Sequence, residues 1–79
     1  MTDAELLERI RAVIRDELDD DSLVVERATL ASDLPGWDSL AHVRIVVGVE
    51  RALGVRFLMS DIGNLQRVGD LIDLARRAS

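Results

Sequence analysis

A serine hydroxyl stands at position 39 in the run Leu34-Pro35-Gly36-Trp37-Asp38-Ser39-Leu40, where a proline-glycine turn gives way to a long apolar stretch. At the start of a helix, unsatisfied backbone N–H groups and the helix dipole favour a phosphate, so a serine there suits a phosphoester attachment. The pair Asp38-Ser39 also suits helix capping. The two roles are compatible, because Asp38 can cap while Ser39 points outward. A full capping box would place Glu or Gln three residues on, and Ala41 and His42 stand there instead. His42 is the single histidine, three residues after Ser39, close enough to touch it across one helical turn as a serine nucleophile and its base would. The flanks oppose a hydrolase. A nucleophile elbow calls for glycines where Trp37 and Ala41 stand, and no acid is indicated to orient the imidazole. His42 is therefore expected to be a half-buried helix residue, and Trp37 a loop anchor.

Composition narrows the chemistry further. The 79 residues contain no cysteine, lysine or tyrosine, which rules out thiol nucleophiles, lysine Schiff bases and cysteine zinc sites. No metal site is expected. A chain of this length buries only about 60% of its unfolded surface and has no disulfide to brace it, so a deep substrate cavity is not expected either. A net charge of −5 disfavours nucleic acid, whose phosphates require a basic face, and points to a protein partner. No stretch resembles a signal segment, and no apolar run approaches the roughly 20 residues of a membrane span. The expectation is a soluble, cytoplasmic, monomeric protein with one domain over residues 1–79 and no membrane or nucleic-acid partner.

The elements that must position Ser39 are helical. Thr2 and Glu5 form a capping-box pair, and Leu6, Leu7, Ile10, Val13, Ile14 and Leu18 recur at helical spacing, which predicts a first helix from about Asp3 to Leu18. Asp16, Glu17, Asp19, Asp20 and Asp21 crowd its end, where the dipole prefers cations. This reads as a solvated, fraying terminus, with an acidic docking patch as the sharper alternative. Residues 22–36 show no sustained period and read as a long ordered loop pinned by Leu23, Leu30 and Leu34, with Leu34 extended before Pro35.

A second helix is predicted from Ser39 to Leu53, with Gly54 as its C-cap. Its apolar residues occupy two sides. Val46, Val49 and Leu53 share a face with His42, while Leu40, Val43 and Val47 lie roughly opposite, beside Arg44, Glu50 and Arg51. Only one side can fill so small a core, and the other is a candidate contact surface. Residues 55–59 read as an apolar connector. Residues 60–64 have room for one helical turn, and Val68, Leu71, Ile72 and Ala75 mark a last amphipathic helix ending near Arg76 and Arg77.

These residues resemble the acyl carrier proteins and the related peptidyl or aminoacyl carrier domains. The resemblance rests on Leu34 to Leu40, on Val43, Ile45, Val46, Val49, Glu50, Leu53, Gly54, Val55 and Phe57, and on Val68, Leu71 and Ile72 in the last helix. It implies an all-α fold, a four-helix bundle with a long loop between helices 1 and 2 and a short third helix. It implies that Ser39, within the motif Gly36, Trp37, Asp38 and Leu40, is esterified by the phosphate of 4′-phosphopantetheine taken from coenzyme A by a separate phosphopantetheinyl transferase. The arm's thiol would hold acyl groups as thioesters, which suits a chain with no cysteine of its own. Such a protein is not an enzyme. It presents cargo to acyltransferase, ligase or ketosynthase-type partners, and in the family the docking surface maps onto Leu40, Val43, Arg44, Val47, Glu50 and Arg51.

Two departures from the family pattern bear on the pathway. Carriers of primary fatty acid synthesis have a strongly acidic second helix. In this chain His42, Arg44 and Arg51 interrupt that helix, and Glu50 is its only carboxylate after the motif. The expectation is a stand-alone carrier for polyketide or other specialised biosynthesis, with an aminoacyl or peptidyl carrier as the alternative. From a different class, the same apolar helix could serve an unmodified protein-interaction module in which Ser39 is only a cap. The second departure is Arg67, where the family often has a Ser or Thr cap for the last helix. Asn64 and Gln66 are the residues nearby that could replace it.

Overall fold

The structure, a computed structural model, describes residues 1–78. Its helices are α1 (Asp3–Glu17), α2 (Ser39–Leu53), α3 (Met59–Ile62) and α4 (Val68–Ala78), with a short 3₁₀ turn at Ala31–Asp33 in the loop between α1 and α2. α1 packs chiefly against α2 and, less extensively, α4. Fully buried Ile10 and Ile14 of α1 meet Ile45 and Val49 of α2 and Leu71 and Ile72 of α4 in one apolar cluster. Each such side chain contributes about 1.5–3 kcal/mol by leaving water. No helix among the described residues is long and apolar enough to cross a membrane.

α1 begins as expected: the Glu5 N–H donates to Thr2 Oγ1 (3.2 Å) and the Thr2 N–H donates to Glu5 Oε1 (2.9 Å). Its other end departs from the sequence reading, because it does not fray. Leu18 is the C-cap, and Asp19 takes the left-handed conformation at φ 54°. The Asp20 N–H then bonds back to Arg15 O (3.0 Å) and the Asp19 N–H to Asp16 O (3.2 Å). This is a Schellman closure with aspartate in the place glycine usually takes, and it satisfies the last carbonyls despite the unfavourable charge. Asp20 in turn accepts from the Ser22 hydroxyl and then its N–H, which lower its pKa in that order.

The long loop is ordered by more than its leucines. Leu23, Val25 and Leu34 are buried, and Leu30 is half-buried. Two arginines one turn apart on α1 grip its backbone: Arg15 Nε and a terminal nitrogen donate to Leu23 O (2.9 and 2.7 Å), and Arg11 Nε donates to Val25 O (2.9 Å). The far half is tied to the segment before α4 through Ala31 N–H to Gln66 O, Val68 N–H to Thr29 O and Gly69 N–H to Arg27 O, at 2.8–2.9 Å. Gly69 permits this approach, since a Cβ there would stand 2.9 Å from Arg27 O.

Gly48 plays the same part between α1 and α2, where a Cβ would lie 2.7 Å from Val13 Cγ1. The α4 start also corrects the sequence reading. Neither Asn64 nor Gln66 caps it; instead Asp70 Oδ2 accepts from the Arg67 and Gln66 N–H groups (2.9 and 3.0 Å), and these bonds, Arg67's first, hold its carboxyl below the usual range. Asn64 instead bonds Ser60 O.

Candidate functional site

Ser39 is placed by a turn whose residues dictate its shape. Leu34 is extended (φ −90°, ψ 120°), as the clash with Pro35 requires. The Trp37 N–H closes onto Leu34 O (3.2 Å) around Pro35 and Gly36, and Gly36 has φ 88°. Proline at the second position and a positive-φ glycine at the third are the marks of a type II turn, so the Pro-Gly pair reverses the chain just ahead of the serine. Asp38 is then extended and caps α2, its Oδ1 accepting the Ala41 N–H at 2.8 Å, while its carbonyl takes the first helical bond from the His42 N–H at 2.9 Å.

Ser39 is therefore the first residue of α2, and it is exposed. The Ser39 and Leu40 N–H groups, the remaining donors of this first turn, have no protein acceptor among the described residues. The serine borders an open cleft of about 470 Å³, lined also by Leu30, Ala31, Ser32, Trp37, Asp38, His42, Leu65 and Gln66. An exposed alcohol beside free N–H donors and an open cleft fits a phosphate-linked arm: the oxygen is reachable, the local field favours the anion, and there is room beside it. With no cysteine in the chain, no side-chain thiol competes for a thioester.

His42 is occupied elsewhere. Trp37 Nε1–H donates to His42 Nδ1 (3.1 Å), and a tryptophan nitrogen can only donate, so Nδ1 is unprotonated. The hydrogen is then on Nε2, which donates to Ile62 O (3.1 Å) at the end of α3. Both ring nitrogens thus have partners other than Ser39, and the Trp37 and His42 rings lie tilted at 41° with centroids 6.0 Å apart. This arrangement leaves no base for a serine nucleophile. Trp37 also packs on the core cluster, the anchor role its place in the turn suggested.

The two sides of α2 separate as their periodicity implies. Ala41, Ile45, Val46 and Val49 are buried, whereas Leu40, Val43 and Val47 keep 59%, 56% and 37% of their surface. Arg44 and Arg51 are exposed beside this stripe. Glu50 is half-buried and turned toward the connector after the helix, where its Oε2 accepts the Phe57 N–H (2.9 Å). Leu58 and Met59, at the start of α3, are also exposed. An apolar residue in a connector carries no periodicity, so only the fold reveals that these two face water.

No family model matches the chain. Individual relatives do. An acyl carrier protein of Thermosynechococcus vestitus is 34% identical over 74 residues, covering 92% of this chain and 90% of its own. One from Thermotoga maritima is 35% identical over 69 residues, covering 86% and 84%. Among solved structures, the solution NMR structure of a holo acyl carrier protein from Geobacter metallireducens superposes with a TM-score of 0.83 at 36% identity, covering 92% of this chain and 84% of that one. The helical order, the serine at the head of α2 and these likenesses agree: this chain belongs to the acyl carrier protein family, non-catalytic carriers whose working group is a covalently bound 4′-phosphopantetheine.

Proposed function

We propose that Ser39 is the attachment point, and that the chain carries acyl thioesters in polyketide or other specialised biosynthesis rather than in bulk fatty acid synthesis. The observation that carries the first half is the exposed Ser39 hydroxyl at the first position of α2, with Asp38 already serving as the cap. The division of labour leaves the serine oxygen free to attack the pyrophosphate of coenzyme A in the active site of a separate phosphopantetheinyl transferase, losing its proton and forming a phosphodiester as the pyrophosphate P–O bond breaks and 3′,5′-adenosine bisphosphate departs. Once bound, the arm supplies a terminal thiol that holds acyl groups as thioesters. The protein's own contribution is to present the oxygen on a rigid helix end, to favour the phosphate with the first-turn N–H groups, and to offer a surface on which partners dock.

The second half rests on charge. Leu40, Val43 and Val47 form an exposed apolar stripe bordered by Arg44 and Arg51, and the half-buried Glu50 is engaged by the Phe57 N–H. A partner shaped for a dense acidic helix meets two cations there, and mismatched charge lowers both encounter rate and affinity. Partners with an apolar centre and an acidic rim fit instead.

The test is intact-mass spectrometry after incubating the apo protein with coenzyme A and a broad-specificity transferase. Wild type is expected to gain one phosphopantetheine and Ser39→Ala none; an arm that persists in Ser39→Ala overturns the assignment.

A further inference from the structure

We propose that the Trp37–His42–Ile62 strap bars apolar chains from the interior of the bundle, so that the cargo is a short or polar acyl group held in the open cleft beside Ser39. This rests on Ser39 carrying the arm. The cleft that begins at Ser39 stops short of the core, since every residue lining it keeps some exposure. Trp37 and His42 form part of its wall, with half-buried Leu30, Ala31 and Leu65. Its rim includes the polar side chains of Ser32, Asp38 and Gln66.

The wall is held from three sides. Trp37 belongs to the turn before α2, His42 to α2 itself, and Ile62 to the end of α3, and the imidazole bridges all three with both nitrogens in use at 3.1 Å. Directly behind it on the same face of α2 lie Val46 and Val49, 3% and 0% exposed, with fully buried Ile72 in the same core. An apolar chain passing between α2 and α3 would have to displace the imidazole. That would break both hydrogen bonds of the imidazole and lift Trp37 from its packing on the core cluster. A short or polar group in the cleft leaves the strap intact and can use the polar rim.

Acetyl, 3-hydroxypropionyl and octanoyl arms can be installed from the corresponding acyl-coenzyme A by a broad-specificity transferase, with intact mass confirming each. Two readouts follow: side-chain methyl NMR of Ile45, Val49 and Ile72, and the rate of thioester cleavage by hydroxylamine relative to the same acyl-pantetheine free in solution. In the wild type all three cargoes should leave the core methyls in place, and the octanoyl thioester should be no better protected than the acetyl or 3-hydroxypropionyl one. In His42→Ala the octanoyl sample should shift those methyls and be protected at least about fivefold, the ratio that roughly 1 kcal/mol of sheltering produces. Trp37→Phe, which keeps an aromatic ring and removes only the N–H donor, should move in the same direction. Octanoyl shifts of core methyls in the wild type, or none in either variant, would overturn the proposal. No mass gain in any sample would instead remove the Ser39 reading beneath it.

Discussion

The packing of α1 on α2 at Gly48 sets two effects of similar size against each other. Replacing a mid-helix glycine with alanine removes a propensity penalty of about 1 kcal/mol. The added Cβ of Gly48→Ala, however, would stand 2.7 Å from Val13 Cγ1, where ordinary contact begins at 3.4 Å, so something must yield by 0.7 Å (3.4 less 2.7). Valine cannot swing aside inside a helix, because its β-branch leaves one preferred rotamer. The helices must separate instead, and overpacking of that kind costs about 1–3 kcal/mol.

The net expectation is a loss of about 1 kcal/mol, or a melting temperature lower by roughly 4–8 °C for a domain of this size. Val13→Ala alone should also destabilise, by about 1 kcal/mol, since half-buried methyl groups are lost. In the double variant the methyl added at position 48 occupies space vacated by Val13. The pair should therefore be more stable than the sum of the two changes by at least about 1 kcal/mol. Urea or thermal unfolding followed by circular dichroism gives all four corners of the cycle. Additivity within about 0.5 kcal/mol, or a Gly48→Ala chain that gains its full helix propensity, would refute close approach as the reason for glycine.

Two further outcomes follow from the same geometry. Asp70→Ala should cost about 1 kcal/mol near neutral pH, since it removes the acceptor for two backbone N–H groups at the start of α4. Those N–H groups hold the folded carboxyl below its ordinary value of 3.8, so its contribution is complete above that value and is lost as pH falls through the lower folded one. Wild type and variant stabilities should therefore converge in acid, and a gap that widens there would contradict the assignment. On the outer face of α2, Arg44→Glu and Val47→Asp should lower kcat/KM for arm transfer by up to about tenfold, the effect of roughly 1.4 kcal/mol of lost contact. Arg44→Glu should keep the wild-type melting curve, and Val47→Asp, where the valine keeps 37% of its surface, should lose no more than about 1 kcal/mol; parallel loss of helical signal would show that these positions support the fold instead.

The parts of this fold that could be read in the sequence are those that local chemistry dictates. The Thr2/Glu5 box, the Leu34-Pro35-Gly36 turn, the α2 bounds at Ser39 and Leu53 and the Gly54 cap each rest on residues within four positions of one another. The two faces of α2 followed from periodicity alone, although Ile45, assigned to neither, is fully buried. What escaped the reading depends on distant partners. Gly48 and Gly69 are small because Val13 and Arg27 come close, and nothing in the adjacent residues announces that. Arg11 and Arg15 look like solvated helix residues until the loop carbonyls of Leu23 and Val25 are placed beside them. The end of α1 is legible only when backbone conformation is set beside charge: aspartate tolerates the left-handed region better than most residues, and the closure it allows satisfies the last carbonyls despite its repulsion from the helix terminus. At the site itself, His42 is the half-buried helix residue its sequence context implies, whereas its partners, the Trp37 N–H and the Ile62 carbonyl, are not legible from spacing.

The division of α2 into two faces also separates what stability requires from what it does not. Val46 and Val49 are enclosed, and their burial repays the cost of ordering them. Leu40, Val43 and Val47 on one helix, with Leu58 and Met59 at the start of the next, contribute little to folding in their exposed positions and raise the risk of association. The same holds for Arg44 and Arg51, which sit beside the apolar stripe in a chain that is otherwise acidic. Folding gives no account of side chains that leave much of their apolar surface in water, whereas a partner that covers the stripe would gain by their burial. With Ser39 as the proposed attachment point at the head of the same helix, whatever covers the stripe would also bring its own surface to within a helix length of the arm. Docking and delivery would then be coupled through one helix.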